Sequence, residues 1–111
     1  MEFAFVETTA FTRRIREEGL EDELRVLQQE LLRNPEKGLL DPGTGGLRKV
    51  RMRVGSTGKG KGSGARVHYL YLAGDRLIYL IFVYLKGEQA TLTAEQKKQL
   101  RSVAEAFKRE R

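Results

Sequence analysis

The stretch 77–85, LIYLIFVYL, constrains the fold of this chain more than any other. It is the longest apolar run, and at about half the roughly 20 residues a membrane-spanning helix needs it is too short to cross a bilayer. Within the segment 76–86 it reads as a strand. Successive side chains of a strand point to opposite faces, so its apolar residues lie on both. That is the pattern of a central strand, well covered by the rest of the chain.

The segments around it divide cleanly by period. Residues 3–7, FAFVE, form a short strand with Phe3 and Phe5 apolar. Thr8 or Thr9 caps a helix that runs to about Glu18, and Gly19 suits its C-terminal turn. A second helix over 21–34 places Leu24, Leu27, Leu31 and Leu32 at helical spacing, with Glu21, Asp22 and Glu23 at the positive end of its dipole. Asn34-Pro35 ends it. Prolines and glycines mark 35–46 as a loop. Strands follow at 47–54 and 65–73, separated by a polar, glycine-rich hairpin loop at 55–64. Gly74-Asp75 turns the chain into the apolar strand. Thr93 with Gln96 forms a capping box, and the last helix carries Leu100, Val103, Ala104 and Phe107 as its apolar stripe. The order is β-α-α-β-β-β-α: one α+β domain over 1–111, its last three strands an antiparallel meander, its helices expected on one face of the sheet.

Composition narrows the chemistry. There is no cysteine and a single histidine, His68, which excludes a disulfide scaffold and thiolate or histidine-rich metal sites. The N-terminus shows no signal-peptide pattern, so the default location is the cytoplasm, with no membrane partner. The net charge of +6 is unevenly spread: residues 1–46 carry −4 and residues 47–111 carry +10.

Most of that charge gathers in residues 47–66, LRKVRMRVGSTGKGKGSGAR, and no Asp or Glu occurs from Pro42 to Gly74. Lys49, Arg51 and Arg53 share one strand face at roughly 6.5 Å spacing, where they repel one another. Val50, Met52 and Val54 take the other face. An ordinary solvated face mixes its signs; this one suits a phosphate backbone. Arg66 and His68 share a face of the next strand, and Tyr84 and Lys86 share a face of the last. Arginine grips phosphate in two-pronged fashion, lysine acts as a point charge or proton donor, and histidine titrates near neutrality. The plainer reading of His68 is a half-buried strand residue with a local hydrogen bond. The loop GSTGKGKG at 55–62 nearly matches a nucleotide-cradling loop. It has Gly62 where a hydroxyl should hold magnesium, and a strand rather than a helix follows it.

Five segments, in this order and spacing, resemble the RelE/HigB-type toxins of bacterial type II toxin–antitoxin systems over nearly the whole length. They are FVETTAFTRRI at 5–15, ELRVLQQELLRNPEKG at 23–38, PGTGGLRKVRMRV at 42–54, GKGKGSGARVHYLYL at 58–72 and YLKGEQATLTAEQ at 84–96. The resemblance implies a ribonuclease, working with no metal or other cofactor, that enters the ribosomal A site and cuts messenger RNA, the ribose 2′-hydroxyl attacking the adjacent phosphate. It implies a cognate antitoxin with a helix-turn-helix domain, through which alone the toxin meets operator DNA. The family's basic positions correspond to Arg51, Arg53, Arg66 and Lys86, with proton transfer falling to Lys86, His68 or a ribosomal group. Arg48, Lys49, Lys59 and Lys61 are then expected RNA contacts. Relatives commonly carry Lys-Asn-Glu where this chain has Lys86-Gly87-Glu88, and some use a tyrosine near the C-terminus that this chain lacks after Tyr84. Two rival readings are a non-enzymatic gyrase poison of the related ParE group and an RNA-binding domain without catalysis.

Overall fold

The computed structural model describes residues 3–55 and 64–110. Its elements are β1 (Ala4–Glu7), α1 (Thr9–Glu18), α2 (Glu21–Arg33), β2 (Leu39–Leu40), β3 (Arg48–Met52), β4 (Ala65–Leu72), β5 (Leu77–Leu85) and α3 (Ala94–Arg109). The local signals act as their chemistry requires. The Thr8 hydroxyl accepts a hydrogen bond from the Phe11 N–H, and Gly19 closes α1 in the left-handed conformation at φ 66°. Thr93 and Gln96 complete the capping box of α3.

The sheet has the order β1-β5-β4-β3-β2. The meander β3-β4-β5 is antiparallel, and β1 lies parallel to β5. The β-α-α-β connection thus returns the chain across the sheet, leaving the apolar strand β5 inside it. β2 is a two-residue strand within the 35–46 segment, paired with Lys49 and Arg48 of β3.

The helices do not share one face, as the pattern of elements led us to expect. Phe11, Ile15, Leu24, Leu27 and Leu31 of α1 and α2 pack on Val50, Met52, Val67, Tyr69, Ile78 and Leu80. Leu100 and Ala104 of α3 pack on Leu47, Leu70, Tyr79, Ile81 and Tyr84 across the other face. The reason lies in β5 itself. Both its faces are apolar, and exposing either would cost about 25 cal/mol for each Å² of apolar surface left in water. A register slip between His68 and Tyr69 leaves Ile81 without a partner on β4, and both Ile81 and Phe82 join the α3 side.

Candidate active site

Register brings the basic residues together. Arg51 of β3 lies opposite Arg66 of β4, and Arg66 lies opposite Tyr84 of β5. In the adjacent row Lys49 faces His68, which faces Phe82. All of these stand on the α3 side of the sheet, where Tyr84 and Phe82 join the cluster under α3 and His68 is buried. Arg51 is exposed, while Lys49 and Arg66 are half-buried. A methyl group placed on Gly64 would lie 3.8 Å from Arg66 Nη1 and 3.9 Å from Arg51 Cγ, so the two side chains border one spot. The Lys86 N–H donates to the Gly64 carbonyl at 3.0 Å, which anchors the exposed Lys86 at the same corner. Arg53 is exposed just past the end of β3.

The neighbouring carboxylates are engaged elsewhere. Glu88 accepts hydrogen bonds from the Arg14 guanidinium of α1 and from the Leu85 N–H. The Arg14 bond holds its carboxyl below the usual range. Asp41 accepts from the ring of His68 at 2.8 Å and pairs with Lys97 of α3 at 3.3 Å. Burial alone pushes the Asp41 carboxyl up, but the bonds from His68 and Lys97 outweigh it, and the group stays below its ordinary value. The field over Arg51 and Arg66 is therefore left positive, suited to a polyanion.

Two expectations for this cluster need correction. His68 is wholly buried, at 0% exposure, beneath the segment carrying Asp41. Burial drives its pKa down, against the pull of Asp41. A ring with no exposed surface does not touch a bound nucleic acid, so the role of proton-transfer group at the substrate is withdrawn. Arg48 points to the α1/α2 side and donates to the carbonyls of Gly38 at 2.7 Å and Glu36 at 3.3 Å. Its alternation with Lys49 on β3 forbids it the phosphate-facing side. Lys59 and Lys61 lie outside the described residues.

Beside the cluster, a groove of about 770 Å³ runs between α2 and the edge of β3. Asp22, Glu23 and Glu30 line one wall, and Lys49, Arg51 and Arg53 the other. Three carboxylates make that wall hostile to phosphate, so the open sheet face suits a polyanion better than the groove does.

The residue that the sequence reading passed over is Asp41. Its signal was its place, the last acid before an acid-free stretch of cations. The loop that carries it is built: the Thr44 hydroxyl donates to the Asp41 carbonyl at 2.7 Å and accepts from the Leu47 N–H at 3.2 Å. Tyr84, read as sharing a face with Lys86, is 1% exposed, and its hydroxyl has no hydrogen-bond partner among the described residues.

Comparison with known proteins bears on the family and the fold. The family described as "RelE toxin of RelE / RelB toxin-antitoxin system" matches residues 5–110. A solved structure of the E. coli toxin RelE, a double arginine-to-alanine mutant in the free state, superposes with a TM-score of 0.55. It is 16% identical, and the match covers 75% of this chain and 82% of that one, a likeness of fold. Among the described residues no helix is long and apolar enough to cross a membrane.

Proposed function

The chain belongs to the RelE toxin family, and we propose on that basis that it is a toxin that cleaves messenger RNA on the ribosome, without a metal. The observation that carries this reading is the cross-strand pair Arg51–Arg66, whose side chains border one spot on an open sheet face. Scission by the 2′-hydroxyl forms an O2′–P bond and breaks the P–O5′ bond, leaving a cyclic phosphate. The 2′ oxygen loses a proton and the 5′ oxygen gains one. Negative charge grows on the phosphoryl oxygens as the bond forms, and cations already in place stabilise that state more than the ground state. Arg51 and Arg66 supply those cations, with Arg53 at the rim and Lys49 holding the flanking phosphate. Guanidinium is too weak an acid to give up its proton near neutral pH, so the arginines do not act as the base. With His68 buried, proton transfer falls to Lys86 or to a group of the ribosome.

The partners follow from the same reading. A cognate antitoxin with a helix-turn-helix domain neutralises the toxin, and its acidic groups offset the +6 charge, so its affinity falls with salt. The test is a translating extract to which purified chain is added, with RNA ends mapped by primer extension. Cleavage within translated messages, lost with Arg66→Ala, supports the function; intact messages at growth-arresting doses refute it. DNA damage signalling without message loss would favour the gyrase-poison alternative.

A further inference from the structure

The turn that carries Lys86 is braced at four points. The Glu88 N–H donates to the Leu85 carbonyl at 2.9 Å, which closes residues 85–88 as a β-turn with Lys86 and Gly87 at its central positions. The Lys86 N–H donates to the Gly64 carbonyl at 3.0 Å, beside the spot that Arg51 and Arg66 border. The Glu88 carboxylate uses both oxygens. Its Oε1 accepts from the Leu85 N–H at 3.2 Å, and its Oε2 accepts from Nη2 of Arg14, 74 positions away on α1. Arg14 is itself oriented by Glu18, one helical turn on, which accepts from its Nε at 3.1 Å. A planar guanidinium can serve both carboxylates at once in fixed directions, as a lysine's point charge cannot.

Glu88 is the acid nearest to Lys86 along the chain, two residues on, and the strands bordering the corner bring no other from Pro42 to Gly74. None of the ion pairs among the described residues includes Lys86, Arg51 or Arg66. A loose carboxylate at this corner would change that, because opposite charges at contact distance attract and a substrate phosphate would have to displace it. Resting on the cleavage reading for its functional half, we propose that Arg14 is a positioning residue for the reacting cations: its guanidinium holds the Glu88 carboxylate inside the turn and away from Lys86, leaving the ammonium free for the RNA. The restraint works by contact, not by protonation. The bond from Arg14 keeps the Glu88 carboxyl below its usual range, so it is an anion wherever the site operates near neutral pH. Helix α1, on the opposite face of the sheet, thereby sets the charge of the reacting corner.

Breaking this one bond from its two ends separates the role from plain bracing. Arg14→Gln frees a carboxylate, whereas Glu88→Gln removes it. Both side chains are part-exposed, so neither change opens the core. In the translating extract Arg14→Gln should lower kcat about tenfold, short of the roughly 100-fold that loss of a proton-transfer group costs. The loss in Glu88→Gln should be smaller by at least about fivefold, and the double variant Arg14→Gln/Glu88→Gln should recover to the level of Glu88→Gln. Equal losses in the two single variants, or a double variant as slow as Arg14→Gln, overturn the positioning role and leave the pair a brace. Amide hydrogen exchange reads the same contact without RNA. The Leu85 N–H, bonded to Glu88 Oε1, should exchange about tenfold faster in Arg14→Gln than in the wild type. An unchanged rate means that Glu88 keeps its seat without Arg14, which also overturns the proposal. Should wild type leave messages intact, the cleavage reading falls, and with it the functional half, while the Leu85 exchange rate still judges whether Arg14 holds the carboxylate.

Discussion

Tyr69 and Tyr84 are equally buried, at 0% and 1% exposure, yet their hydroxyls are treated in opposite ways. Tyr69 lies on the α1/α2 side, where its hydroxyl donates to the Pro35 carbonyl at 2.7 Å and accepts from the Gly38 N–H at 2.9 Å. Arg48 completes the arrangement by binding the Gly38 carbonyl. Gly38 has no room for a side chain, since an added Cβ would meet the Lys49 carbonyl and the Tyr69 ring at 3.0 Å. Tyr84 lies on the α3 side beside Arg66 and has no such partner among the described residues. One face of the sheet satisfies its polar groups and is closed. The other holds unneutralised cations and an unspent hydroxyl, conditions that lower stability and that a reacting site uses.

The sharpest way to break this contrast is Arg66→Ala. If the α3 side is the reacting face, cleavage should fall by roughly 100-fold to 1,000-fold, the scale of removing one preorganised charge-stabilising group. The melting temperature should hold or rise, because a repulsive neighbour of Arg51 is removed. RNA end mapping beside a thermal melt checks both. A large loss of stability with unchanged cleavage would place the arginine with the scaffold.

Tyr69→Phe tests the other face. It leaves the Gly38 N–H and Pro35 carbonyl unpaired and should cost about 1–3 kcal/mol in denaturant unfolding, while the cleavage rate per folded molecule stays at the wild-type level.

Much of this was legible and some was not, for physical reasons. Thr8, Gly19 and the Thr93–Gln96 box act within one turn of chain, so their sequence signals sufficed. The cations of β3 were readable by alternation, and so was the two-faced run of β5. The run in fact required cover on both sides, a requirement that the expectation of one-sided helices overlooked. Nothing local to α3 says which face it takes; that follows from a chain path that first sends α1 and α2 to the opposite side. β2 is only two residues long and exists through its pairing with β3. The fate of His68 depended on Asp41, 27 positions away, and no periodicity within β4 reports such a partner.

The buried pair supplies the next prediction. His68 titrates below its ordinary 6.5 in the folded chain, so as pH falls the unfolded chain takes the proton first. Its contribution to stability is therefore full above about pH 6.5 and is lost as pH falls through the folded-state value, at no more than about 1.4 kcal/mol per pH unit. Asp41, lowered from 3.8, acts with the same sign in a lower window. Unfolding free energies measured between pH 7 and 5 should decline in the wild type and flatten in His68→Asn. Equal slopes in the two would detach His68 from the interior chain.

The smallest effect expected separates the two tyrosines most finely. The Tyr84 hydroxyl has no hydrogen-bond partner among the described residues, so Tyr84→Phe strands no backbone group and should cost no more than about 1 kcal/mol. The substitution keeps the ring and with it the packing against His68 and Phe82. Tyr69→Phe removes two bonds and strands two backbone partners, so the pair of variants should differ in stability with Tyr69 the costlier. Denaturant melts of both at the same pH make the comparison. A Tyr84→Phe cost equal to or above that of Tyr69→Phe would mean that the α3 side is as tightly satisfied as its opposite, and the division of the sheet into a closed face and a reacting face would lose its basis.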